Sequence, residues 1–193
     1  EHYGELVAMD RSIGTLRKGL REMGVAQNTL VWFMSDNGGL PRLDPPTTGG
    51  LRSFKGSMYE GGLRVPAIIE WPNGISKVRI TKHPAGAVDI FPTIAEVAGL
   101  EKSDLLKPQD GMSLAKLFLK EQGPRQKPLP FRSRGRIAVV DNDYKMISFP
   151  DSGKTRYELY NLANDMSEQD NLVKKNPRLP TSFAKSSKQS TPR

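Results

Sequence analysis

Two adjacent side chains, Asp36 and Asn37, could bind a metal ion through oxygen atoms. They lie in Ser35–Gly39 (S-D-N-G-G), directly after the apolar run Thr29–Met34 (T-L-V-W-F-M). Carboxylate and amide oxygens are the donors that Ca²⁺ and Mg²⁺ prefer, and ligand sites in open α/β sheets lie beyond the carboxyl ends of strands. The same residues are also good turn formers. The segment therefore predicts either a metal-binding loop or a simple turn.

A second segment could bind an anion. Residues 51–66 (L-R-S-F-K-G-S-M-Y-E-G-G-L-R-V-P) place three glycines near Lys55, Arg52 and Arg64. Glycine lets the backbone approach a ligand closely, and a cation beside it neutralises the ligand's charge. No G-x-x-x-x-G-K-[ST] phosphate loop is present in the sequence. A solvated basic loop is the alternative interpretation.

The elements before and between these segments are predicted from hydrophobic spacing. Apolar residues at steps of three and four predict an amphipathic helix that ends at Gly24: Leu6, Met9, Ile13, Leu16, Leu20 and Met23. The run 29–34 has no alternation, which is typical of a strand buried on both faces of a parallel sheet. Residues 65–71 predict a second strand. Residues 89–98 predict a helix with Asp89 as its N-cap and Gly99 at its end.

The later part of the chain has a different composition. Residues 121–135 are rich in proline and basic residues and are predicted to be a linker. Residues 136–140 and 144–149, joined by D-N-D, predict a β-hairpin. A further strand is predicted at 156–161 and short helices at 113–119 and 167–175. Residues 177–193 predict a basic, disordered tail.

Charge and composition exclude several functional classes. The chain has 193 residues and a net charge of +8, but six of its 29 basic residues lie in 174–193, where there is no acidic residue. The rest of the chain is nearly balanced, so the sequence predicts no nucleic-acid partner. No apolar run reaches the ~20 residues of a membrane span. The absence of cysteine excludes disulfides, thiolate zinc sites and cysteine nucleophiles within these residues.

The ordered set of motifs resembles the carboxyl-terminal part of type I, formylglycine-dependent sulfatases, which belong to the alkaline-phosphatase-like superfamily. The resemblance begins with N-T-L-V-W-F-M-S-D-N-G-G and L-R-S-F-K-G-S-M-Y-E-G-G-L-R-V-P. It continues through V-D-I-F-P-T-I-A-E-V-A-G-L, D-G-M-S-L-A-K-L-F, Y-K-M-I and Y-E-L-Y-N-L-A-N-D-M-S-E-Q-D-N-L, and so spans nearly all of residues 3–173. The later motifs are most similar to bacterial carbohydrate sulfatases.

The resemblance implies a fold and a set of site residues. The fold class is α/β: residues 1–120 would supply the later part of a large, mostly parallel sheet flanked by helices. Residues 136–176 would form a small antiparallel α+β subdomain. Asp36 and Asn37 match two late ligands of an active-site Ca²⁺. Lys55 matches the catalytic lysine that contacts the substrate's sulfate. The implied partner is a sulfated carbohydrate, and the implied location is periplasmic or extracellular.

The nucleophile that the resemblance implies lies upstream of the matched region. It is a formylglycine made from Cys or Ser in a C/S-x-P-x-R motif, and the nearest candidate here, Ser148–Ser152, lacks the arginine. We therefore expect this chain alone to be inactive. Two other functions stay open: a phosphonate or phosphodiester hydrolase of the same superfamily, and a non-catalytic polyanion-binding module.

Overall fold

The computed structural model describes residues 2–41, 43–101 and 103–175, and the predicted basic tail lies outside them. The described residues form two compact units. One comprises the residues up to 34 together with 66–80, and the other comprises 35–65 together with the residues from 81 onward. The contacts therefore divide the chain at other points than the predicted boundary after residue 120.

The first unit contains one long helix and two strands. Helix α1 (His2–Glu22) is followed by Gly24, whose φ of 71° is the left-handed conformation predicted for the end of this helix. Strands β1 (Val31–Met34) and β2 (Ala67–Glu70) pair antiparallel, with Val31 opposite Glu70. Arg17 on α1 donates two hydrogen bonds to the Glu70 carboxylate, at 2.6 and 2.8 Å.

The environment of β1 differs from the prediction made for it. All four residues of β1 are half-buried, and its paired strand among the described residues runs antiparallel. A continuous apolar run indicates contact on both faces, but it carries no information about the direction of the neighbouring strand. The run thus correctly predicts a strand and does not determine how that strand is paired.

The second unit is built around an antiparallel sheet in the order β3-β4-β5-β6. Its elements are α2 (Glu60–Leu63), α3 (Ile90–Val97), α4 (Ala115–Leu119), β3 (Leu129–Ser133), β4 (Arg136–Asp141), β5 (Tyr144–Asp151) and β6 (Lys154–Asn161). The predicted hairpin is confirmed as β4–β5, and Asn142 in its turn has a φ of 52°. The helix predicted at 167–175 is wrong: only Leu172–Lys174 form a single 3-10 turn.

Both faces of this sheet bury apolar side chains. On one face Ala138, Ile147 and Tyr160 pack with Met58 from the glycine-rich segment. On the other face Val139, Met146 and Leu159 are buried, with Leu172 and Val173 packed against them. Alternate residues of a strand point to opposite faces. Double-sided burial therefore explains why β4 reads as a nearly continuous apolar run.

The predicted linker at 121–135 is wrong for its second half, because β3 occupies residues 129–133 and pairs with β4 along its whole length. Prolines at 128 and 130 suggested irregular structure. Proline is tolerated in an edge strand, where its missing N–H costs no ladder hydrogen bond. Because β3 is an edge strand of this sheet, it can contain Pro130.

Arg125, also in the predicted linker, forms a buried ion pair with Asp89. Both side chains are fully buried, and two hydrogen bonds of 2.9 and 2.8 Å join the guanidinium to the carboxylate. The Asp89 carboxylate also accepts the backbone N–H groups of Gly86 and Met112. Asp89 occupies the N-cap position of α3, as predicted, but its side chain makes no capping hydrogen bond to that helix. Its side chain caps the 3-10 turn before α3 and anchors residues from three segments.

Apolar side chains remain exposed on both units. Helix α1 contains no buried residue, and Leu16 on its predicted apolar face is 52% exposed. Phe91 and Ile94 on α3 are also exposed. None of the helices within residues 2–41, 43–101 and 103–175 has the length and hydropathy needed to cross a bilayer.

We predict that Arg125→Met destabilises the protein by about 3–5 kcal/mol, because it leaves the Asp89 carboxylate buried without its partner. Denaturant unfolding measures this change. The control is Arg132→Met in the same segment, which removes an exposed arginine and is expected to change stability by less than about 0.5 kcal/mol. Equal effects of the two substitutions would contradict the structural role of the pair.

Candidate active site

The predicted metal-binding pair lies in a tight turn two residues beyond β1. The Ser35 hydroxyl donates to the carbonyl of Asn37 at 2.9 Å, which closes the turn. Asp36 is exposed and Asn37 is half-buried. The Asn37 side-chain amide donates to the Asp36 carboxylate, so the two polar groups lie side by side.

The structure brings this turn against the glycine-rich segment. The N–H of Gly38 donates to the carbonyl of Gly62 at 3.0 Å, and the N–H of Lys55 donates to the carbonyl of Gly39 at 2.9 Å. The Lys55 side chain is exposed. Residues predicted separately from the sequence therefore belong to one cluster of loops, which we call the loop cluster and define as residues 35–39 and 51–64.

Glycines make the close approach within the loop cluster possible. A Cβ atom on Gly38 would overlap the carbonyl of Gly61, and one on Gly61 would overlap the carbonyls of Arg52 and Ser53. A Cβ atom on Gly62 would lie 2.6 Å from the carbonyl oxygen of Ser57. None of these three glycines needs a positive φ. Their function is to leave space for backbone contact.

A buried ionic network holds the loop cluster on the sheet. The Lys145 ammonium on β5 lies 2.9 Å from a Glu60 carboxylate oxygen and 2.8 Å from a Glu168 carboxylate oxygen. The other Glu168 oxygen accepts the backbone N–H of Glu60 at 2.6 Å, at the start of α2. Arg64 adds a 2.6 Å hydrogen bond to Glu60. We call Glu60, Lys145 and Glu168 the buried triad.

An aromatic group packs beside the buried triad. The Arg52 guanidinium lies 3.9 Å from the centre of the Tyr59 ring and donates hydrogen bonds to the Tyr160 hydroxyl and the Glu168 carbonyl, at 2.9 and 2.7 Å. Both tyrosine hydroxyls donate to the Glu158 carboxylate, at 2.9 and 2.8 Å. These contacts join the glycine-rich segment to β6.

The acidic groups of this region respond to burial in two ways. Burial raises the pKa of Glu168 above its usual range, although the ammonium of Lys145 acts in the opposite direction. Burial also acts to raise the pKa of Glu158. Hydrogen bonds from Tyr160, Arg156 and Tyr59 outweigh it and hold that pKa below its usual range. Burial, together with the hydrogen bond to the same carboxylate, raises the pKa of Tyr59.

The donor chemistry of the turn fits a hard cation. Asp36 offers a carboxylate and Asn37 an amide oxygen. The Asn37 amide nitrogen now faces Asp36, and a flip of the amide group would present its oxygen there instead. Ca²⁺ takes six to eight oxygen ligands, so this pair can supply only part of a site. Within the described ranges there is no group of three or more His, Cys, Asp or Glu residues that could hold a metal.

Comparisons with known proteins identify the family. A profile described as Sulfatase matches residues 1–100, and one described as the carboxyl-terminal domain of N-sulphoglucosamine sulphohydrolase matches residues 52–187. The chain belongs to the sulfatase family. The two profiles overlap across the glycine-rich segment and Lys55 and together cover nearly the whole sequence.

Individual sulfatases show the same relationship. The chain is 32% identical over 192 residues to a sulfatase of Formosa agariphila, covering 88% of this chain and 34% of that protein. It is 27% identical over 199 residues to an N-acetylgalactosamine-6-O-sulfatase of Bacteroides thetaiotaomicron, covering 90% of this chain and 38% of that protein. The chain therefore spans little more than a third of these relatives, and it corresponds to the carboxyl-terminal portion of a sulfatase.

The solved structures confirm the fold class. The structure of Ps i-CgsB superposes with a TM-score of 0.78 and 30% identity, covering 95% of this chain and 41% of that one. The predicted α/β, alkaline-phosphatase-like fold with an antiparallel carboxyl-terminal sheet is thereby confirmed.

Sequence reasoning missed most of the contacts that support the candidate site. The sequence identifies Glu60 and Arg64 only as residues that shape and pack the glycine-rich loop, and it does not single out Lys145 or Glu168. A signal existed in the sequence for one of them, because Lys145 interrupts the apolar residues of a strand buried on both faces. A charged residue at such a position requires a buried partner.

We predict that Gly38→Ala lowers the free energy of unfolding by about 1–3 kcal/mol, because its methyl group would force apart the two backbone segments of the loop cluster. Chemical denaturation measures the change. Gly123→Ala is the matched control, since nothing lies within 4 Å of a Cβ atom at that position. If Gly38→Ala were as stable as the control, the close backbone approach would be contradicted.

A second prediction concerns acid unfolding. Glu158 has a lowered pKa in the folded state. Its ionised carboxylate therefore contributes fully to folding stability above the unfolded pKa near 4.5, and this contribution is lost as pH falls through the lower folded pKa. Glu158→Gln is expected to cost about 1–3 kcal/mol at neutral pH. This loss of stability would shrink towards zero below the folded-state pKa of Glu158. Unfolding measured across this pH range tests the expectation, and a pH-independent difference would contradict it.

Proposed function

We propose that this chain carries the calcium-binding pair and the sulfate-binding lysine of a sulfatase that hydrolyses sulfate esters of a sugar. The observation that carries the proposal is the pair of backbone hydrogen bonds that join the S-D-N-G-G turn to the Lys55 segment. Family membership supports the reaction class. The relative named N-acetylgalactosamine-6-O-sulfatase supports a sulfated carbohydrate as the substrate.

Asp36 and Asn37 would hold the Ca²⁺ in this proposal. A bound divalent cation supplies Lewis-acid stabilisation of a sulfate group. The two residues contribute one negative charge together with carboxylate and amide oxygen donors, and the exposed Asp36 is open to an ion and a substrate. The Ser35–Asn37 hydrogen bond holds the turn, so that little ordering is needed when the ion binds.

Lys55 would contact the sulfate directly. Its ammonium is a compact charge on a flexible stem, and its side chain is exposed while its backbone N–H is fixed to Gly39. A fixed backbone with a free side chain suits a residue that closes on an anion. As negative charge moves onto the leaving oxygen and the sulfate, a positioned cation lowers the barrier.

The nucleophile is expected outside these residues. The chain contains no cysteine and no Ser-x-Pro-x-Arg sequence, so we expect a formylglycine from the preceding part of the full-length protein. On this account the chain alone does not turn over sulfate esters. The periplasmic or extracellular location stays a prediction.

The test uses the full-length protein, Ca²⁺ and a panel of sulfated monosaccharides. Asp36→Ala is expected to weaken Ca²⁺ binding and to lower kcat/KM by at least about 10- to 100-fold, since even partners that only support metal ligands have effects of this size. Lys55→Met is expected to lower kcat/KM about 100-fold or more while Ca²⁺ affinity is retained. Calorimetric titration and sulfate release measure the two quantities separately.

Matched controls come from other exposed residues of the same types, Asp10→Ala and Lys82→Met. They are expected to leave both quantities unchanged. Near-normal turnover by Asp36→Ala would refute the metal assignment. Turnover of phosphonate or phosphate esters in preference to sulfate esters would favour the other hydrolase class, and no turnover of either by the wild-type protein would favour a binding module.

A further inference from the structure

The short helix α2 is hydrogen-bonded to both parts of the loop cluster. The N–H of Gly61 donates to the carbonyl of Arg52 at 2.9 Å, ahead of Lys55 in the chain. The carbonyl of Gly62 accepts the N–H of Gly38 at 3.0 Å, directly after Asn37. A displacement of α2 would therefore move the turn that carries Asp36 and Asn37 and the segment that carries Lys55.

The buried triad fixes the first residue of α2. Glu60 is held at its backbone, where its N–H donates to Glu168, and at its side chain, where Lys145 lies 2.9 Å away. Lys145 and Glu168 are fully buried, and the Glu60 side chain is 5% exposed. Without the ammonium, two carboxylates would face each other in a site that water does not reach.

A contribution to stability alone does not explain the buried triad. A buried ion pair pays a desolvation cost that can exceed its Coulomb gain, and well-packed apolar residues often replace such pairs without loss. The neighbours of Lys145 on the same sheet face, Ile147 and Ala138, are buried and apolar. If the only requirement at position 145 were packing of the sheet, an apolar residue would satisfy it. The polar contacts of Lys145 go instead to the loop cluster and to the segment after β6.

We propose that Lys145 is a positioning residue for catalysis: it holds α2 in the one register that sets Asp36 and Asn37 against Lys55. This inference rests on the proposed function, which gives those three residues their roles. Lys145 itself touches neither substrate nor metal. A displacement of about 1 Å in a site is enough to reduce the rate 100-fold, so a small shift of α2 has a measurable effect.

The experiment compares three variants of the full-length protein. Lys145→Met removes the ammonium and keeps a chain of similar length. The double variant Lys145→Met with Glu168→Gln also removes one buried carboxylate, so that Glu60 remains balanced by Arg64 and folding is preserved. Val139→Ala is the matched control, because it creates a cavity in the opposite face of the same sheet, where the side chain is 1% exposed.

Two readouts separate positioning from stability: sulfate release well below the melting temperature, and amide hydrogen exchange. For both Lys145 variants we expect kcat/KM to fall at least about tenfold. Exchange is expected to rise in residues 36–39 and 52–62, while residues 136–149 keep wild-type protection. Val139→Ala is expected to show a lower melting temperature with unchanged kcat/KM and unchanged protection of the loop cluster.

Either of two results would overturn the inference. One is unchanged exchange in the loop cluster of the double variant, and the other is loosened exchange with unchanged kcat/KM. If the wild-type protein hydrolyses no sulfate ester, the proposed function fails. The exchange pattern then still decides whether Lys145 holds the two segments together.

Discussion

The buried ammonium of Lys145 is the constraint on which the candidate site depends. It lies between the carboxylates of Glu60 and Glu168 with both oxygen contacts under 3 Å. Through it, β5 of the antiparallel sheet is bonded to the start of α2 and to the segment that follows β6. Apolar side chains are buried on both faces of this sheet. It therefore provides the loop cluster with a fixed support, which loops alone cannot provide.

The rest of the site follows from that support. Glycines at 38, 61 and 62 let three backbone segments approach within hydrogen-bond distance, where any side chain would collide. Arg52 stacks on Tyr59 and donates to Tyr160, and both hydroxyl groups donate to Glu158, so the charges of the region are paired in place. Asp36 and Lys55 remain exposed beside this paired region. The protein thus buries the charges that build the site and exposes the charges that are proposed to react.

Much of the fold could be predicted from local pattern. Three features depend only on residues that are neighbours in the sequence: the apolar spacing of α1, the glycine after it and the D-N-D turn between β4 and β5. Each of these predictions is confirmed. The failures involve tertiary contact. Pro130 suggested a linker because its place in an edge strand is not visible in the sequence. Arg125 was assigned to the same linker because its partner Asp89 lies 36 positions away. The buried triad escaped notice for the same reason, since Lys145 and Glu60 are 85 positions apart.

The most direct measurement is a crystal structure of the full-length protein with Ca²⁺ and a sulfated monosaccharide bound. The account predicts that oxygen atoms of Asp36 and Asn37 coordinate the ion, and that the Lys55 ammonium lies within hydrogen-bond distance of the sulfate. A calcium ion held without Asp36, or a sulfate group that Lys55 does not contact, would contradict it.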